Sequence, residues 1–78
     1  MSTEWKRPIH IRIGTGSADT IAGPSEAFAA LSYRWPAEHG RRYSDAKRLC
    51  RMAVAGNVSA ELAREAFIAA AQEASVLD

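Results

Sequence analysis

The sequence has little of what extracellular and membrane proteins need. Its one cysteine, Cys50, cannot form an internal disulfide, which is typical of a reducing compartment. No apolar run is long enough to cross a membrane, and the first ten residues lack the apolar stretch of a secretory signal. Asn57-Val58-Ser59 has the form of a glycosylation site but is better explained as a turn before a helix cap. We therefore expect a cytoplasmic protein with no membrane contact.

The sequence also has almost no excess of charge of either sign, because it contains ten lysines and arginines and nine aspartates and glutamates. A formal net charge of +1 argues against the uniformly basic character of a protein that coats nucleic acid. The balance is uneven along the chain, however. Residues 41–51 carry five cations and one anion, whereas residues 59–78 carry four anions and one cation. These segments have opposite sign, so they could attract each other within the fold or between two copies.

The N-terminal residues predict a strand. Trp5, Ile9, Ile11 and Ile13 alternate with polar residues, which is typical of a strand with one buried face. Pro8 cannot donate a ladder hydrogen bond, so this part is expected to be an edge or a bulge. Residues 14–17 then reverse the chain, and residues 19–22 return as a second strand.

Side-chain parity predicts the register of this hairpin. A loop of odd length, centred at Gly16 or one residue later, places Ile21 opposite Ile11 or Ile13 on the buried face. A two-residue loop would place it opposite His10 on the wet face. We predict the odd loop, with Gly16 in the left-handed conformation. Residues 75–78 can either add a short third strand or fray, and both alternatives stay open.

Three helices should follow the hairpin, and the second has a basic side opposite an apolar side. The first helix is expected to run from Pro24 to Trp35, the second from Ser44 to Gly56, and the third from Ser59 to about Ala74. The expected core contains Trp5, Ile9, Ile11, Phe28, Leu31, Trp35, Leu49, Cys50 and Phe67. The predicted fold class is α+β: a two-stranded antiparallel hairpin packed against three helices in a single small domain, residues 1–78.

A spaced pattern also resembles a known bacterial family. The pattern includes Trp35-Pro36, the cysteine-bearing helix and the run Ala63-Arg64-x-Ala66-Phe67. Its further positions are Ile21, Glu26, Ala27, Leu31, Gly40, Ala46, Cys50, Ala53, Gly56, Ala70, Ala71, Glu73 and Ala74. In these residues the chain resembles domain-of-unknown-function family 982, found largely in rhizobia and related alphaproteobacteria. The resemblance covers nearly the whole chain and implies a small cytoplasmic bacterial α+β protein, with no activity or site residues to carry over.

No catalytic arrangement is visible in the sequence. Cys50 falls on the apolar side of its helix, where a buried, inert thiol is expected. His10, His39 and Cys50 lack the short paired spacings of a zinc site. Gly14-x-Gly16 follows a strand but has no third glycine, lysine or adjoining helix to complete a phosphate loop. We expect a protein that is not an enzyme, with no cofactor and no metal.

The basic segment is the candidate binding surface. It consists of Arg41, Arg42, Tyr43, Lys47, Arg48 and Arg51. The cations suit phosphates and the tyrosine could stack on a base, with Tyr33 of the first helix as an extension. This makes nucleic-acid binding by residues 41–51 the alternative hypothesis. A charged helical face that is merely solvated remains an open explanation.

The preferred hypothesis is a non-catalytic interaction or regulatory module that binds a protein partner or a second copy of itself. In a homodimer, Glu61 and Glu65 of one chain would face Arg41, Arg42 and Lys47 of the other. Ile68 lies among polar residues of the third helix, so it belongs to a partner surface or marks a helix that is buried on two sides. A monomer whose charges confer solubility is the competing explanation.

Overall fold

The structure is a computed structural model that describes residues 4–37 and 39–78. The predicted α+β fold is confirmed: an antiparallel two-stranded hairpin is followed by three helices. The elements are β1 (Ile9–Ile11), β2 (Asp19–Ile21), α1 (Pro24–Tyr33), α2 (Arg41–Val54) and α3 (Ala60–Glu73).

The register of the hairpin differs from the prediction. Ile21 lies opposite Ile9, not Ile11 or Ile13, so the loop between the paired strands spans residues 12–18. Its odd length keeps Ile21 on the buried face as expected, but the loop is longer than predicted. Gly14, not Gly16, has the left-handed conformation, with φ of 72°. The Arg12 side chain donates to the Gly16 carbonyl at 2.9 Å, which ties the longer loop together.

The strand predicted from Trp5 is interrupted before Pro8. The chain bends at residues 6 and 7, and pairing resumes only at Ile9. Trp5 nevertheless donates its main-chain N–H to the Ala22 carbonyl at 2.7 Å, and its indole Nε1 donates to the Ala60 carbonyl at 2.8 Å. The bend expected from the presence of Pro8 therefore lies between two positions, Trp5 and Ile9, that are both held by hydrogen bonds or strand pairing.

The C-terminal residues return to the sheet. Ser75 has a left-handed φ of 58° at the end of α3, and this conformation redirects the chain. The main-chain N–H of Arg12 donates to the Val76 carbonyl at 2.8 Å, and the main-chain N–H of Asp78 donates to the His10 carbonyl at 3.0 Å. Of the two alternatives, the third strand is correct, although it is limited to one bridge between Ile11 and Leu77. Since this bridge covers the second edge of β1, β1 is not a free edge strand for a second copy.

Helix α2 begins three residues earlier than predicted. Its N-terminal cap is Gly40, and Ser44 lies inside the helix rather than at its cap. The Glu73 carboxylate of α3 accepts from the Arg42 N–H at 3.4 Å, so a distant residue partly satisfies the helix end. Gly56, with φ of 83°, follows the end of the helix as predicted.

Two further helix ends lie within two residues of their predicted positions. Helix α1 ends at Tyr33, two residues before the predicted Trp35. The start of α3 is confirmed, because the Ser59 hydroxyl accepts from the Leu62 N–H at 3.1 Å.

The core is centred on Phe67, which is fully buried. Its ring lies 6.0 Å from the Trp5 ring and 5.5 Å from the Trp35 ring, measured between centroids. Seven of the nine predicted core residues are buried, but Phe28 and Leu49 are only half-buried. Both lie beside surface grooves that flank α2, which explains the error.

Candidate binding surface

Helix α2 carries the predicted cations, but it does not gather them into one cluster. Arg41, Arg42, Arg48 and Arg51 are exposed, and Lys47 is half-buried. Within residues 4–37 and 39–78, Arg48 is the one cation of this set in an ion pair, 3.6 Å from Asp45. Four of the five cations line two grooves, one on each flank of the helix, and Arg48 lines both, whereas Arg41 lines neither.

The first groove lies between α1 and α2, and we call it the cationic groove. Its volume is about 340 Å³, and it is lined by Phe28, Tyr43, Ser44, Lys47, Arg48 and Arg51. The Lys47 ammonium lies 6.0 Å from the Phe28 ring centroid and 5.8 Å from that of Tyr43. The groove thus combines an aromatic floor with a cationic rim, a cation–π arrangement that fixes the lysine near the rings.

The structure corrects the expected role of Tyr43. This residue is only 8% exposed, and its hydroxyl donates to the Leu31 carbonyl at 2.9 Å. The His39 ring stacks on it with centroids 3.7 Å apart. Tyr43 is therefore not an open platform for a base. Its spacing of three and seven residues from the buried Ala46 and Cys50 was the sequence signal for its burial.

Tyr33 does not extend this groove either. It is 84% exposed on α1 and lines none of the grooves beside α2. Phe28 and Ser44, in contrast, line the cationic groove although sequence reasoning left them out of the site. Only the packing of α1 against α2 brings Phe28 there.

The second groove lies between α2 and α3, and we call it the mixed-charge groove. Its volume is about 280 Å³, and it is lined by Arg42, Asp45, Arg48, Leu49, Leu62, Glu65, Ala66 and Ala69. Leu62 of α3 is 43% exposed to solvent. The α2 wall carries both arginines, and the α3 wall carries the carboxylate of Glu65.

The three residues predicted for self-association lie along one side of α3, at positions i, i+4 and i+7, but each lines a different groove. Ile68 is half-buried against the core and lines a groove with Pro8, His10 and Leu77. Its half-burial is compatible with both of its explanations, burial of α3 on two sides and a partner surface. Glu65 faces the mixed-charge groove, whereas Glu61 lines a separate groove with Arg64.

The residues considered for catalysis or metal binding are not assembled. Cys50 is completely buried, its Sγ lies 4.0 Å from the Ala63 carbonyl oxygen, and burial raises the pKa of the thiol to about 12. His10 contacts Thr20, with 3.2 Å between Nδ1 and Oγ1. In the part of the chain that the structure describes, no three His, Cys, Asp or Glu side chains are grouped as a metal site.

A cavity of about 610 Å³ lies at the start of α2 beside His39, Gly40 and Glu73. A Cβ at Gly40 would collide with the Glu73 carboxylate, which therefore occupies the space at this helix end. The α2 N-terminus is therefore already matched by a negative charge from within the chain.

Fold and surface together define a small α+β protein in which a helical hairpin packs beside a short sheet. None of the described helices is long and apolar enough to span a bilayer. The chain belongs to the family described as "Protein of unknown function (DUF982)", whose match covers residues 7–77. The resemblance noted in the sequence is thus confirmed.

A solved structure supports the same assignment. The chain is similar to the Agrobacterium tumefaciens protein Atu1219, a structural-genomics target solved by NMR. The two share 38% identity with a TM-score of 0.80, over 97% of this chain and 76% of the other. No curated protein matches the chain.

Proposed function

We propose that this chain is a non-catalytic interaction module of the bacterial cytoplasm, a single domain that acts as a homodimer. The observation that carries this proposal is the mixed-charge groove. Its α3 wall carries the Glu65 carboxylate and the exposed Leu62, and its α2 wall carries two arginines against the one carboxylate of Asp45. Such a surface is complementary to itself, which is what a two-fold symmetric contact requires.

The charges suit an antiparallel arrangement of two helical hairpins. Across a two-fold axis, Arg48 of one copy would face Glu65 of its partner, and the same pair would form again on the other side. Glu65 has no ion pair in the described part of the chain. Each copy therefore offers an uncompensated carboxylate to the arginines of the other, which favours correct docking over other orientations.

The apolar part of the groove supplies the energy for association. Leu62 is 43% exposed and Leu49 is half-buried, so both would lose contact with water in a dimer. Ala66 and Ala69 are short and leave room for a leucine from the partner. A standard interface buries roughly 800 Å² per partner, about one sixth of the 4957 Å² surface of this chain.

Sedimentation equilibrium and light scattering over a concentration series test the dimer. Leu62→Asp should convert it to a monomer, because a charge would be buried in the contact. Val54→Asp is the matched control, since Val54 is 49% exposed but lies outside the groove. Circular dichroism should show that both variants remain folded. A wild-type protein that stays monomeric at millimolar concentration would rule out this proposal.

A charge exchange makes the test specific for the contact. Arg48→Glu and Glu65→Arg should each weaken self-association, whereas an equimolar mixture of the two variants should form a heterodimer. Restored pairing is expected because each variant again meets an opposite charge. If the mixture associates no better than the separate variants, Arg48 and Glu65 do not face each other.

Several observations support a role without catalysis. The thiol of Cys50 is buried and held in its protonated form, so it is a poor nucleophile. His10 hydrogen-bonds Thr20 on the sheet, whereas His39 stacks on Tyr43 beside α2. Among residues 4–37 and 39–78, no base, nucleophile and third group lie together as a catalytic arrangement requires.

Nucleic-acid binding by residues 41–51 is the second candidate. It is favoured by Arg41 and Arg51, which are exposed and have no ion pair within the described residues. It is disfavoured by the burial of Tyr43, the one aromatic of the segment. Fluorescence anisotropy with single- and double-stranded oligonucleotides over a salt series tests it. A phosphate-driven mode must weaken steeply as salt rises, and salt-independent affinity would exclude it.

A further inference from the structure

We propose that the cationic groove between α1 and α2 binds an acidic peptide segment of a partner protein, with one apolar side chain of that segment seated on Phe28. This site lies on the opposite flank of α2 from the mixed-charge groove. Arg48 lines both grooves, but Phe28 and Arg51 line the cationic groove alone, so binding there does not require dimer formation.

The rim of the groove provides the charge complementarity. Lys47, Arg48 and Arg51 follow one another within about one helical turn. Neither Lys47 nor Arg51 forms an ion pair within residues 4–37 and 39–78. Their charges are therefore available for carboxylates of a ligand, and arginine can bind a carboxylate through two parallel hydrogen bonds. The Ser44 hydroxyl adds a neutral donor on the same rim.

The floor of the groove provides the apolar contact. Phe28 is half-buried, which leaves part of its ring open to a ligand. The groove volume of about 340 Å³ is at the lower end of the range for ligand pockets, roughly 300–1,000 Å³. That space suits one leucine-sized or aromatic side chain with its backbone neighbours, and does not suit a whole helix or duplex.

The aromatic arrangement favours a peptide over a nucleic acid. Stacking of a base requires a free ring face. One face of Tyr43 is covered by the His39 ring, and the Lys47 ammonium lies 5.8 Å from the centroid of the same ring. Carboxylates can bind Lys47 where it is, whereas a base stacked on Tyr43 would have to displace it.

Fluorescence anisotropy with a defined peptide tests the site. The probe is a fluorescein-labelled peptide of six glutamates around one central leucine. One control peptide has serine in place of leucine, a second has glutamines in place of glutamates, and a ten-nucleotide oligo-dT is the third probe. The leucine peptide should bind at least about tenfold more tightly than either control peptide, a ratio that corresponds to 1.4 kcal/mol.

Variants locate the contact. Arg51→Glu should weaken the leucine peptide about tenfold or more, because it reverses one rim charge, and Phe28→Ser should remove the preference for leucine over serine. Arg41→Glu is the matched control, an exposed cation of the same helix that lines neither groove, and should change affinity less than about twofold. Arg51 is exposed, so its variant is expected to fold even if Phe28→Ser does not.

Three results would overturn the proposal. Equal loss of affinity in Arg41→Glu and Arg51→Glu would show non-specific charge attraction, and equal binding of the leucine and serine peptides would show that the floor takes no part. Tighter binding of oligo-dT, lost in Arg51→Glu, would show a nucleic-acid interface instead. The Leu62→Asp variant separates this site from the dimer, since it should bind the leucine peptide like the wild type.

Discussion

The helical side and the sheet side of the molecule are held together by different means. Helices α2 and α3 meet through small buried side chains, such as Ala46 and Ala53 on α2 and Ala63 and Ala70 on α3. The sheet consists of three-residue strands, too short to be stable alone. It depends on hydrogen bonds between distant parts of the chain, such as those that join Arg12 and His10 to the C-terminal residues.

This difference indicates where a partner can bind. On the sheet side, Arg12 pairs with Asp78, and Arg34 pairs with Asp19. These four charged side chains are thus paired within the chain, whereas Lys6 and Arg7 have no ion pair among the described residues. On the helical side, the small side chains keep the packing inside, and long charged side chains project outward from α2. Both proposed contacts therefore lie on the flanks of α2.

Removal of the Phe67 ring should have the largest effect, because this residue joins the two sides. Its ring contacts Trp5 from the sheet side and Trp35 from the end of α1. Phe67→Ala should lower the free energy of unfolding by about 3–5 kcal/mol, measured by urea denaturation. In a chain of this length such a loss can remove most of the stability.

Phe28→Ala is the matched control for that measurement. Phe28 was also expected in the core, but it is only half-buried at the edge of the cationic groove. It should therefore cost clearly less than Phe67→Ala. Equal costs would show that the two aromatic residues are equivalent and that the core is not centred on Phe67.

A substitution at the start of α2 should have an intermediate effect that is confined to the helical side. In Gly40→Ala the new Cβ would collide with the Glu73 carboxylate, so this flexible, exposed side-chain end must move aside and lose its 3.4 Å bond to the Arg42 N–H. Loss of this bond should cost about 0.5–1 kcal/mol in thermal or urea unfolding.

A double-mutant cycle separates the clash from other effects of the alanine. In a Glu73→Ala background the carboxylate is absent, so Gly40→Ala should cost much less than in the wild type. Additive costs would mean that Gly40 and Glu73 do not interact. The cycle thus tests whether a residue of α3 fixes the start of α2.

These examples also show why some elements could be predicted from the sequence. The buried positions Ala63, Phe67 and Ala70 follow from helical periodicity, a local property. The hairpin register was wrong because Arg12 pairs with Val76, more than 60 residues away. The start of α2 was wrong for the same reason, since its cap comes from Glu73. Local rules identified the elements, whereas distant contacts set their ends and pairing.

The candidate site was predictable to a similar degree. Charge clustering identified Lys47, Arg48 and Arg51, and the structure places all three on one groove. The division of cations between two grooves depends on which helix packs on each flank of α2, so it could not be predicted. Phe28 was missed for that reason.

The effect that is smallest near neutral pH concerns the pH dependence of stability on the helical side, through Cys50. Burial raises the pKa of its thiol from 9.0 to about 12 in the folded protein. The folded state therefore holds this proton more tightly than the unfolded state. The resulting stability is fully present below about pH 9 and is lost as the pH rises towards 12. The loss can reach at most about 1.4 kcal/mol per pH unit.

Cys50→Ala removes the contribution of the thiol to this pH dependence but keeps the lysines and tyrosines that titrate in the same range. Urea unfolding from pH 8 to 10.5 should thus show wild-type stability falling more steeply than that of the variant. Parallel curves would mean that water reaches the thiol, and that the contact between α2 and α3 is more open than its alanines indicate.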